Sequence, residues 1–173
     1  MVLAMVVASL TATVAIPDAA NGATLTQVRR QLTSWHLRPR PLFPAQLPAG
    51  LHEASVTLDR FAGVDFDVEF GKPANGCQRV HATDLCLELR RADSSTLGTI
   101  LHDPDSFTAP RRVRLRGRNA WFVGEGRDAG GWVLAWHEQG LTYWVWQWDD
   151  VSARTAFWTL TGLARSLRQL SSR

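Results

Sequence analysis

The stretch VDFDVEFG, residues 64–71, alternates without a break: Val64, Phe66, Val68 and Phe70 are apolar, while Asp65, Asp67 and Glu69 are acidic. Strand side chains point to opposite sides in turn, so this period of two predicts a strand with one buried and one wet face. The same period recurs along the chain. HEASVTLDRF (52–61) predicts a partner strand, with Ala62-Gly63 near the turn. TDLCLELRR (83–91) sets Leu85, Leu87 and Leu89 against Cys86, Glu88 and Arg90, and GTILH (98–102) is a short strand candidate. RRVRLR (111–116) sets Val113 and Leu115 against Arg112, Arg114 and Arg116; a turn at Gly117-Arg118-Asn119 leads into NAWFVGEG (119–126). WVLAWHE (132–138) and LTYWVWQW (141–148) close the series across Gln139-Gly140.

Two segments carry helical spacing instead. Leu25, Val28 and Leu32 predict a short helix within TLTQVRRQLTSW (24–35). The following RPRPLFPAQLPAG (38–50) holds four prolines, which fix φ and remove donors, so it reads as an extended lead-in. Near the other end, Ala153, Ala156, Phe157, Leu160, Leu163, Ala164, Leu167 and Leu170 form one apolar stripe, predicting a helix from roughly Val151 to Leu170. Asp149 or Asp150 is its expected cap, and Arg165 and Arg168 suit its C-terminal dipole. Strands followed by one long amphipathic helix predict an α+β fold: a curved antiparallel β-sheet of about six to eight strands, with the C-terminal helix packed on one face.

The last hairpin concentrates aromatic residues, and its register decides where they point. With a two-residue loop, Gln139-Gly140, Trp136 pairs with Tyr143 and Leu134 with Val145. Trp132 joins that face, and Trp144, Trp146 and Trp148 share the other with His137. A three-residue loop beginning at Glu138 moves every side chain of one strand to the opposite face. Gly140 suits both. Trp144, Trp146, Trp148 and His137 are thus candidate ligand-binding residues, because a contiguous exposed aromatic face marks a contact site. Cover by the N-terminal helix, through Leu32 and Trp35, is the competing expectation.

Composition narrows the setting. Residues 2–16 are apolar or small, and Ala20-Asn21-Gly22 resembles a cleavage site, so residues 1–23 read as a signal peptide or membrane-anchor segment. No Lys or Arg precedes that run. Residues 24–45 then form the short helix and lead-in, and 46–173 a single domain. Two cysteines, Cys77 and Cys86, follow an export signal and predict one disulfide. Their spacing lacks the close pairs of a zinc site. The formal charge is +3, but the 19 basic residues, all arginine except Lys72, are interspersed with 16 acidic ones. A nucleic-acid binder gathers its charge into a patch, so no nucleic-acid partner is expected.

Several packing and turn residues carry a resemblance. They are Leu-Pro-Ala-Gly-Leu (47–51), Gly117, the Leu134 and Trp136 pair, Gly140, Tyr143, and a terminal helix running through Ala164, Ser166 and Leu167. Over roughly residues 46–170 the chain resembles a bacterial extracytoplasmic domain of unknown function. That domain is found in envelope proteins related to lipoprotein-carrier and anti-sigma-factor sensor types. The resemblance implies that Leu134, Trp136, Tyr143 and Val145 are core beneath the helix, which favours the two-residue register. The cysteine pair and the surplus tryptophans depart from its pattern.

Catalytic signatures are missing from the sequence: there is no Gly-x-Ser-x-Gly turn and no phosphate loop ending in Gly-Lys. His36, His52, His81 and His137 are scattered, and His102 with Asp103 and Asp105 reads as a turn around Pro104. The expectation is a non-enzymatic exported envelope protein without cofactor or metal, binding a hydrophobic or amphiphilic ligand or a protein partner. Lipid, cell-wall polymer and an envelope protein are the partner classes considered. A cell-wall glycan module using the Trp144/Trp146/Trp148 face is the alternative, and a hydrolase around His102 and Asp105 the third.

Overall fold

The computed structural model describes residues 24–47, 56–61, 64–70, 87–102, 110–124, 131–147 and 151–171. Its elements are α1 (Leu25–Ser34), β1 (Leu42–Pro44), β2 (Val56–Phe61), β3 (Val64–Phe70), β4 (Leu87–Ala92), α2 (Thr96–His102), β5 (Arg111–Leu115), β6 (Arg118–Gly124), β7 (Trp132–Glu138), β8 (Leu141–Gln147), α3 (Ala153–Ser166) and β9 (Leu167–Gln169). The fold is α+β. Seven strands form one open antiparallel sheet in the order β2-β3-β4-β8-β7-β6-β5, and β1 pairs with β9 in a second, two-stranded sheet. The expected export segment 1–23, the cysteine pair Cys77 and Cys86, Asp105 and Trp148 lie outside the described residues.

The register of the last hairpin is the two-residue one. Trp136 faces Tyr143 and Leu134 faces Val145. Gln139 (φ 58°) and Gly140 (φ 78°) are both left-handed, the conformation of a type I′ turn, whose twist matches that of the flanking strands. Arg116 (φ 51°) and Gly117 (φ 75°) make the equivalent turn between β5 and β6. The expected turn at 117–119 therefore falls one residue earlier, and Arg118 and Asn119 already belong to β6.

Trp132, Leu134, Trp136, Tyr143 and Val145 pack with Phe66, Val68, Leu87 and Leu89 beneath α3 and α1. Trp136 stacks on its cross-strand partner Tyr143 with ring centroids 5.7 Å apart, and Phe122 stacks on Trp132 at 5.1 Å while meeting Phe157 of α3 edge-on. α1 starts on a capping box: Thr24 Oγ1 accepts from Gln27 N (3.2 Å), and Gln27 Oε1 accepts from Thr24 N (2.7 Å). It buries the expected Leu25, Val28 and Leu32.

Five expectations are corrected. GTILH is helix, not strand: Asp93 Oδ1 accepts from Ser95 N and Thr96 N, and Leu97, Ile100 and Leu101, at helical spacing, then reach one side of the sheet. The N-terminal helix does not cover the tryptophans, because α1 lies in the cluster on the opposite face. The C-terminal helix begins after Ser152, whose hydroxyl caps Thr155 N, and ends at Ser166. Leu167 turns extended and continues as β9, which pairs with Leu42–Pro44 of the lead-in. The lead-in is therefore partly strand. Lastly, the acidic side of β3 is not wet: Asp67 is only 6% exposed.

Two polar hubs fix the layers. Glu138 accepts from Trp136 Nε1 (3.1 Å) and takes both Nε and Nη2 of Arg116, whose Nη1 donates to Leu167 O (2.8 Å) at the end of α3. Arg91, fully buried, pairs with Asp65 (2.8 Å), donates to Pro39 O (2.6 Å) and lies over the Phe66 ring. Removing one side of a buried charge pair costs about 3–5 kcal/mol. Arg91→Met is expected to lose stability of that order in urea unfolding. Amide exchange at Leu42 and Phe43 should accelerate more than exchange in β7, because the lead-in loses its tether first.

Candidate functional site

The face of the sheet away from α3 can be read row by row from the strand register. One row runs Glu69, Glu88, Trp146 and Val133; the next runs Asp67, Arg90, Trp144, Ala135 and Trp121. Thr142 and His137 form a third pair, with Thr142 Oγ1 3.3 Å from His137 Nδ1. Trp144 and Trp146 thus share the predicted face with His137. They do not form an open platform. α2, which follows β4, sits on this face. Leu97 packs with Ala92, Val133, Ala135 and Trp144, and Trp144 is only 5% exposed. Trp146 and Trp121 are half-buried at the margin of this second core. Among the described residues the exposed tryptophan is Trp158 of α3 (59%), on the opposite layer.

Beside the tryptophans, carboxylate oxygens of Asp67, Glu69 and Glu88 come within 4.8 Å of one another. The sequence pattern showed the acids of β3 but not that Glu88 of β4 would join them in register. Arg90 reaches both Asp67 (3.0 Å) and Glu88. The Asp67 carboxyl is pushed up to about 8, first by burial and then by the charge of Glu88 and a hydrogen bond to it; Arg90 pulls the other way. Asp67 accordingly holds its proton at neutral pH and hydrogen-bonds Glu88. The half-buried Arg90 guanidinium and that proton together compensate the three acids.

A separate cleft of about 190 Å³ opens where α1 ends against the lead-in and the segment after β9. Leu32, Leu37, Pro41 and Leu170 supply apolar lining, and His36, Arg38 and Arg40 supply the basic groups. His36 terminates α1 in the left-handed conformation (φ 51°), as a residue just past a helix often does. The chain then turns along the sheet and is held at Pro39 O by Arg91. Leu170 N donates to Pro41 O (3.0 Å), which closes the far wall. No carboxylate lines this cleft among the described residues. Sequence reading noted His36 only as one of several scattered histidines. The signal that could have located the site is Arg38-Pro39-Arg40-Pro41: alternating prolines keep the backbone extended and present the arginines along it.

Asp67 generates a pH-dependent expectation. The folded protein keeps this proton from the ordinary 3.8 up to about 8, a range in which the unfolded chain loses it. The stabilisation it gives is full below 3.8 and is lost as pH rises through that window. Asp67→Asn, which carries no charge and still donates to Glu88, should show a flatter fall of melting temperature between those limits. At pH 8 it should melt higher than wild type, by about 2–4 °C for each kcal/mol recovered. Calorimetry at a series of pH values checks this; an equally steep fall in the variant would place the responsible proton on another group.

Comparisons with protein-family models, curated proteins and solved structures found no match to this chain.

Proposed function

We propose that this protein is a non-enzymatic, extracytoplasmic binding module of the bacterial envelope that takes an amphiphilic ligand. The observation that carries the ligand reading is the cleft, where apolar Leu32, Leu37 and Leu170 lie beside basic His36, Arg38 and Arg40. Binding sites of this kind combine an apolar lining with a few placed polar groups. The export part rests on the sequence: the apolar N-terminal run with small residues after it, and the resemblance of residues 46–170 to extracytoplasmic domains. The glycan alternative loses ground because Trp144 lies under α2 and has no free ring face for a sugar. The hydrolase alternative rests on His102 and Asp105, and Asp105 lies outside the described residues.

The test is a titration of the protein with hexan-1-ol and with hexanoate, followed by amide NMR. At least one of them should shift signals of Thr33, His36 and Leu37 together with Leu170 and Ser171, and Leu37→Asp should weaken that binding tenfold or more. Saturating additions of both that leave these signals in place would refute the reading.

A further inference from the structure

The cleft also says what kind of ligand end it receives, an inference that rests on the reading just given. Its volume, about 190 Å³, corresponds to roughly six water molecules at ~30 Å³ each. Sites for drug-sized molecules run to about 300–1,000 Å³. The space therefore suits a short chain and its head group rather than a whole lipid. Its charge is one-sided. Arg38 is exposed and Arg40 half-buried, and neither makes an ion pair or side-chain hydrogen bond among the described residues. Three arginines elsewhere are engaged by carboxylates: Arg90 with Asp67, Arg91 with Asp65 and Arg116 with Glu138. Two guanidiniums and an imidazole line the cleft, and among the described residues no carboxylate does.

We propose that this cleft binds a small organic anion, a carboxylate or phosphate monoester on a short apolar stem. Arg38 and Arg40 hold the anionic head, and Leu32, Leu37 and Leu170 receive the stem. A guanidinium offers paired donors that match the oxygens of either head group. Arg91 acts as a positioning residue, because its bond to Pro39 O fixes the backbone between the two arginines.

Three six-carbon probes test this: hexanoate, monohexyl phosphate and hexan-1-ol, each titrated into the full chain with amide NMR. At least one anion should bind tenfold or more tightly than the alcohol, and the tighter of the two identifies the head group. Raising salt should weaken the anion and leave the alcohol unchanged. Arg38→Gln/Arg40→Gln, two positions outside the core, should erase the preference while an unchanged thermal melt shows the fold intact. Equal binding of alcohol and anions, or a preference that survives the double substitution, would overturn the anion assignment and leave amphiphile binding standing. Anion-induced shifts confined to Arg112, Arg114 and Asn119, another basic surface, would overturn it as well. Silence from all three probes would remove the amphiphile reading itself.

Discussion

A guanidinium that has lost its water must find its hydrogen-bond partners inside the protein. Arg91 meets that requirement for its terminal nitrogens by drawing three segments together, while its Nε has no hydrogen-bond partner among the described residues. Asp65 comes from the neighbouring strand, Pro39 from the lead-in, and the Tyr143 hydroxyl, which also accepts from Leu42 N, from β8 on the other side. The bulge between Val64 and Phe66 sets two residues of β3 against Arg91, which lets Phe66 lie under the guanidinium and Asp65 pair with it. Once the lead-in is fastened at Pro39 it runs across the α3 face, and Leu42–Pro44 meet β9. The second sheet and the cleft beside it both follow from where one charge is satisfied.

The two faces of the main sheet are covered by different means. One carries α1, α3 and the small sheet over a continuous apolar cluster. Among the described residues the other carries one short helix, with tryptophans and the carboxylates around Arg90 beside it. Hydrophobic burial dominates the first face. On the second, local charge compensation allows three acids to sit together, and the proton on Asp67 is part of that compensation.

Much of this architecture was legible from periodicity. The helical spacing of Leu25, Val28 and Leu32 placed α1, and the alternation in 132–138 and 141–148, with Gly140 between them, gave the last hairpin and its two faces. The missing parts depend on what a segment meets in three dimensions. GTILH has strand-like composition, and the signal for helix lay in Asp93, upstream of the apolar residues. The alternation separated the two sides of β3 from Phe66 onward, but it could not show the bulge that sends Val64 to the α2 side and Asp65 to Arg91, nor that Glu88 and Arg90 of β4 would stand beside Asp67. Nor could Arg-Pro-Arg-Pro reveal that residues 170 and 171 would return to complete a cleft beside it. The tryptophan alignment that drew attention proved mainly a packing solution for Trp144, and the cleft arose where the sequence offered only a proline-rich connector.

The walls of that cleft come from opposite ends of the described chain, residues 32–41 and residues 170–171. The walls meet only where β9 docks on β1, so a chain that holds the seven-stranded sheet alone cannot display the cleft. The coupling also runs the other way. Anything lodged between the two segments acts as a clasp on them, so that fraying of β1 from β9 and release of the occupant become one event.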